Sequence, residues 1–181
     1  MLAWTLLWTA LAGPPTTPTT QELGRACVGV PAEEPGRREA WIAVGLQQGP
    51  VTTWVRRDHS FEAGDRLVLG ICGETAGAWW AYASLPDTTL KDLFPGPERG
   101  TNHVPARTFT ALPQASSVAW PAAADAITLV LRWTSGAEPT HLPLTGYTLQ
   151  GSAGDLLVHL VLDELDAGEE AGGALRLGRP D

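Results

Sequence analysis

Ala126-Ile127-Thr128-Leu129-Val130-Leu131-Arg132-Trp133-Thr134 is the stretch that decides the fold class. Ile127, Leu129, Leu131 and Trp133 fall on one side, and Thr128, Val130 and Arg132 on the other. A repeat of two is the spacing of a half-buried strand, because successive Cβ atoms leave opposite faces. On this reading Trp133 belongs to the core and Arg132 to water.

Working outward, the same period recurs in short runs. Ile42, Val44 and Leu46 share a face in Trp41–Leu46, and Gly49-Pro50 then marks a turn before Val51–Val55. Leu67, Leu69 and Ile71 alternate in Arg66–Cys72. Ala78–Ser84 carries the aromatic run Trp79-Trp80-Ala81-Tyr82, and Arg107–Leu112 is a further candidate. Six short strands separated by turns argue for two packed antiparallel layers rather than a parallel α/β sheet. The 20 glycines and 15 prolines, about a fifth of the chain, fit many turns and few long helices. The expected fold is an all-β, Ig-like antiparallel β-sandwich over residues 39–167.

The ends read differently. Ser152 with Asp155 three residues later resembles a capping box. Leu156, Leu157, Leu160, Val161 and Leu165 then lie on one stripe at helical spacing, so one short C-terminal helix is expected, closed by Gly168. Residues 168–181 are Gly-rich and polar and read as a mobile tail. Residues 13–38, with Gly13-Pro14-Pro15-Thr16-Thr17-Pro18-Thr19-Thr20 at their start, read as an extended linker and N-terminal segment. Met1–Ala12 is uncharged and apolar, too short for a bilayer span of about 20 residues, and it ends in Ala10-Leu11-Ala12. That is the pattern of a signal peptide without its usual basic start. An apolar first strand is the alternative.

Net charge is −8, with one lysine, Lys91. Such a surface repels phosphate, so nucleic acid is not an expected partner. No membrane span is expected in the mature chain. If the chain is exported, Cys27 and Cys72 have an oxidising compartment in which to pair; two separate buried thiols are the alternative. Two cysteines without a CxxC make no zinc site, and no metal or cofactor is expected.

Several segments together resemble a bacterial family, the domain of unknown function numbered forty-three eighty-four. They are Phe61-x-x-Gly64-Asp65, Trp80-Ala81-Tyr82, Leu93-Phe94-Pro95 with Asn102, Leu112-Pro113, and the strand Ile127–Trp133. The family's Gly-Pro-Glu-like turn is replaced by Ala122-Ala123-Ala124-Asp125. The resemblance covers roughly residues 39–165. It implies a β-sandwich in exported proteins or beside caspase-like peptidase or kinase domains, and it carries over no catalytic residue.

The residues themselves read as scaffold. Gly64 suits a tight turn in which Asp65 accepts backbone hydrogen bonds, and Asn102 tolerates a left-handed turn. His59, His103, His141 and His159 form no HExxH, and no GxSxG elbow, P-loop or GxGxxG occurs. Asp58-His59-Ser60 places triad types side by side, but neighbours on an extended chain point apart. Adjacent Trp79 and Trp80 are expected to face opposite ways, one inward and one outward. Trp79, Trp80 and Asn102 are therefore the candidate ligand or partner contacts. The expected role is a non-catalytic, exported accessory or protein-interaction module of the bacterial cell envelope, periplasmic or extracellular. The alternatives are a carbohydrate-binding module using an exposed tryptophan, and a hydrolase whose site is assembled in space.

Overall fold

The structure, a computed structural model, describes residues 17–28, 38–84, 90–94, 102–112, 117–120, 124–136, 149–150, 156–166 and 169–178. Its elements are α1 (Thr20–Val28), β1 (Arg38–Gln48), β2 (Val51–Val55), β3 (Arg66–Gly73), β4 (Gly77–Ser84), β5 (Leu90–Phe94) and β6 (His103–Val104). There follow β7 (Thr110–Leu112), β8 (Val118–Ala119), β9 (Ala126–Thr134), β10 (Leu149–Gln150), β11 (Leu157–Asp166) and β12 (Glu170–Gly178). The Met1–Ala12 run, the turn from Pro95 to Thr101 and the Ser152–Asp155 segment lie outside the described residues.

The strands form one sheet in the order β5-β4-β9-β12-β11-β1-β3-β7. Every pairing along that path is antiparallel; β10 joins β12 in parallel. The sheet folds over itself, nearly closing like a barrel. The fold occurs at β11, where Leu157 to Leu162 pair with Ala43 to Arg38 of β1 while Asp163 to Asp166 pair with β12, with a bulge between Glu164 and Asp166. A bulge adds a local bend and twist, which suits a corner between two layers. The fold is therefore all-β, as the alternation predicts.

Inner faces of both layers meet in one core. Ile42, Ile71, Trp79, Leu129, Leu131, Trp133, Leu160 and Leu175 are all at or below 3% exposure there. Trp133 is core, as its register predicts. The Gly64 turn also forms as read: Gly64 has φ +99°, and the Asp65 carboxylate accepts the Glu62 amide at 2.8 Å.

The outer face of β1 and β3 is covered by α1. Thr19 and Glu22 cap the helix reciprocally. The Glu22 amide donates to Thr19 Oγ1 at 3.2 Å and the Thr19 amide donates to the Glu22 carboxylate at 2.7 Å. Leu23 and Cys27, four apart, share the buried side of the helix. Leu23 packs with Ala43, Trp54 and Val68. Cys27 is joined to Cys72 of β3 in a disulfide, with Cα atoms 6.0 Å apart. Gly70 must be glycine, because a Cβ there would run into the Phe109 ring.

Four expectations need correction. The helix is N-terminal, inside the segment read as linker, and its signal was the Thr19-x-x-Glu22 box. The segment read as a C-terminal helix is β11. Its leucines fit both periods, and Val158, Leu160 and Leu162 alternating inward against Ala40 and Ile42 decide for the strand. The segment read as a mobile tail contains β12, a central strand between β9 and β11. Its small residues have a packing reason: a Cβ on Gly173 would press on Leu160 at 3.0 Å. The end of β12 is also held, with the Gly178 amide donating to the Arg57 carbonyl at 2.8 Å. Finally, Arg132 is not in water. It is fully buried and its guanidinium donates to the Glu170 carboxylate at 3.1 Å. The outer face of β9 is itself covered, as Val130 beside it shows at 3% exposure.

Candidate functional site

The expected site residues do not come together as a binding surface. Trp79 is 1% exposed and inward-facing. Trp80 faces the other way, as alternation requires, but at 9% exposure it is packed with Tyr82, Val130 and Ala174. Neither indole offers a solvent-facing platform, which corrects the expectation of an exposed tryptophan at this pair. Asn102 brackets the Trp79 peptide. Its Nδ2 donates to the Trp79 carbonyl at 3.0 Å, and its own carbonyl accepts the Trp79 amide at 3.0 Å. It is a fastening for β4. The positive φ in this region belongs to Arg107, at 53°, not to Asn102.

A different corner gathers the polar chemistry. It begins with Arg38 and Glu39 at the start of β1. In the β1–β11 register Trp41 lies opposite His159, and the two rings stack with centroids 4.8 Å apart and planes 14° apart. Glu39 lies opposite Val161, one diagonal step from His159. From there its Oε2 reaches His159 Nε2 at 2.8 Å. Glu39 is buried at 3%, whereas the His159 side chain is 42% exposed. The carboxylate thus fixes the half-exposed ring through Nε2, leaving Nδ1 as its other nitrogen. Among the described residues no hydroxyl or thiol bonds that nitrogen.

Arg38 points to the other side of β1, over the end of the core. Its guanidinium carbon sits 3.8 Å from the Trp133 ring centroid, a cation–π contact. Partial burial pulls the guanidinium below the ordinary arginine value, while Glu164 and Glu74 hold it up. Beneath it lies a tight hollow, too small to admit a water molecule, lined by Arg38, Glu39, Thr75, Trp79, Trp133 and Leu162. Trp79 and Trp133 reach it as a cross-strand pair of β4 and β9.

Three polar atoms around the corner are buried without a hydrogen-bond partner: Trp79 Nε1 and Trp133 Nε1 on the inner side of β1, and Glu39 Oε1 on its His159 side. Elsewhere the fold satisfies its buried indoles. Trp54 Nε1 donates to Thr20 Oγ1 at 3.1 Å and Trp120 Nε1 to the Ala124 carbonyl at 2.8 Å. An unmet buried donor or acceptor costs about 1–3 kcal/mol, so three at one place is an exception in need of a reason. The chain matches no known family model, no curated protein and no solved structure. The corner is therefore judged on its own geometry.

It holds donors, an acceptor, a cation and a half-exposed aromatic stack. The described residues contain no group of three or more His, Cys, Asp or Glu placed to hold a metal. No helix among them is long and apolar enough to cross a membrane. Sequence reasoning missed this corner because Glu39 and His159 are 120 positions apart and no local motif announces either one.

Proposed function

We propose that the protein is a non-catalytic, exported accessory module of the bacterial cell envelope, and that it engages a protein partner through the Arg38–Glu39–Trp41–His159 corner. The observation that carries this reading is the fixed, half-exposed Trp41–His159 stack above a buried carboxylate. Binding energy concentrates in aromatic and arginine side chains held rigid before the partner arrives. The buried Cys27–Cys72 disulfide supports an oxidising compartment. The resemblance to domain family forty-three eighty-four and the Met1–Ala12 run point the same way and belong to the same proposal. A hydrolase would use the Glu39–His159 pair as orienter and base, but it also needs a nucleophile, and none is within hydrogen-bond distance of His159 among the described residues.

Photo-crosslinking in the native envelope tests the reading. Asp163 is exposed and shares the outward side of β11 with His159, so a crosslinker placed there samples the corner without disturbing it. A discrete protein adduct that disappears in Trp41→Ala is expected. An adduct pattern indifferent to Trp41, or no adduct at all, would sink the proposal.

A further inference from the structure

Among the described residues β2 pairs with β1 alone, so its second edge is open. Its sequence, Val51-Thr52-Thr53-Trp54-Val55, is β-branched or aromatic throughout and carries no charge. Native sheets guard such an edge with charge, proline, a bulge or shortness. The two ends of the strand path are guarded in this way. β5 carries Lys91 and Asp92, and its register with β4 slips between Ala81 and Tyr82. β7 is three residues long and runs into Pro113. β2 has none of these devices and keeps unbroken register with β1 from Val51 to Val55. Val51 is also the only large hydrophobic side chain among the described residues that is exposed, at 59%.

We propose that this edge pairs with the same edge of a second copy of the chain, antiparallel about a two-fold axis through Thr53. The run is complementary to itself in that register. Val51 of one copy faces Val55 of the other, Thr52 faces Trp54, and Thr53 faces Thr53. Each is a favourable cross-strand pair: aliphatic with aliphatic, β-branched with aromatic, threonine with threonine. The nearest charge, Arg56, falls opposite Pro50, so no like charges meet despite a net charge of −8 per chain. The hairpin also aims the hydrogen bonds. Gly49, at φ +60°, and Pro50 form a two-residue turn, which Gln48 and Val51 close as a hydrogen-bonded pair. Alternation then turns the amides and carbonyls of Thr52 and Trp54 to the open side, where the second copy's Trp54 and Thr52 meet them. Thr53 is left in a non-hydrogen-bonded pair, with Cα atoms about 4.5 Å apart. A patch that pairs with itself closes at two copies. One strand pair is a small interface, so the association is weak and concentration-dependent. It is independent of the partner-binding reading, whose residues lie on the half of β1 that pairs with β11.

Sedimentation velocity of the full chain over a concentration series is the first test. The apparent mass is expected to rise from 19.2 kDa toward twice that value. Thr53→Lys sets two ammonium groups against each other on the axis. It is expected to stay monomeric over the same series, with an unchanged circular dichroism spectrum. Mild oxidation then reads the register. Thr53→Cys is expected to give a covalent dimer that reductant reverses, because its two copies lie opposite one another. Val51→Cys is expected to link about a tenth as much or less. Its two copies are four residues out of step, about 13 Å apart, beyond the reach of a disulfide. The proposal is overturned if the parent stays monomeric throughout, if Thr53→Lys dimerises as the parent does, or if the two cysteine variants link equally. A monomeric parent that retains the Asp163 crosslink would remove the dimer and leave the interaction module standing.

Discussion

Replacing Trp133 with alanine probes the packing on which the corner is built. The side chain is 3% exposed, pairs across strands with Trp79 and Ala171, and is roofed by Arg38. A buried indole removes about 200 Å² of largely apolar surface from water, worth about 5 kcal/mol at ~25 cal/mol per Å². Losing the Arg38 contact adds roughly 0.5–1 kcal/mol, and removing an unmet indole N–H returns about 1 kcal/mol or more. Partial collapse of the cavity trims the total further, so Trp133→Ala should cost about 3–5 kcal/mol. With a urea dependence of roughly 2 kcal/mol per molar, the midpoint should fall by about 1.5–2.5 M. Far-UV circular dichroism is the readout, because removing an indole changes fluorescence directly. Val51→Ala is the control: at 59% exposure it should stay within about 0.5 kcal/mol of the parent. If both variants melt with the parent, β9 does not present Trp133 to the core and the account of the corner fails with it.

Three further outcomes are expected. Arg132→Met should cost about 3–5 kcal/mol in the same melt, because it strands the buried Glu170 carboxylate, while the double change with Glu170→Leu should recover most of the loss; equal costs for single and double variants would contradict a coupled pair. Cys27→Ser should cost about 3–4 kcal/mol, from reopening a loop with a sequence separation of 45, and should raise hydrogen exchange in α1 first; unchanged α1 protection would show that Leu23 packing alone holds the helix. Glu22 should titrate below the ordinary glutamate range, because the Thr19 amide and then its hydroxyl bond the carboxylate. Its cap is therefore intact above the usual glutamate pKa and is lost as pH falls through the depressed value. An NMR titration in which Thr19→Ala fails to raise the Glu22 midpoint would contradict this cap.

What the sequence reveals follows from how local each signal is. β9 is legible because its alternation is strict and its ends are turns. β11 misleads because leucines at 156, 157, 160 and 165 satisfy a helical stripe while Val158, Leu160 and Leu162 satisfy a strand, and only the β1 register chooses between them. β12 misleads because Gly172 and Gly173 look like tail composition until Leu160 is seen to need the room. Helix α1 hides behind a Pro/Thr run, although its capping box is in plain view. Arg132 defies the rule that charge belongs in water because Glu170 reaches it from β12. The candidate corner has no local signal at all. Its parts come from β1, β4, β9 and β11, and the fold alone brings them together.

The central proposal is that this disulfide-stapled fold is an exported module. Intact mass of the protein isolated from its native cell, with and without reductant, tests that claim most directly. The account predicts a chain lacking Met1–Ala12 that gains two hydrogens on reduction, from the Cys27–Cys72 bridge. A full-length chain beginning at Met1, with both thiols free before reductant is added, would contradict it.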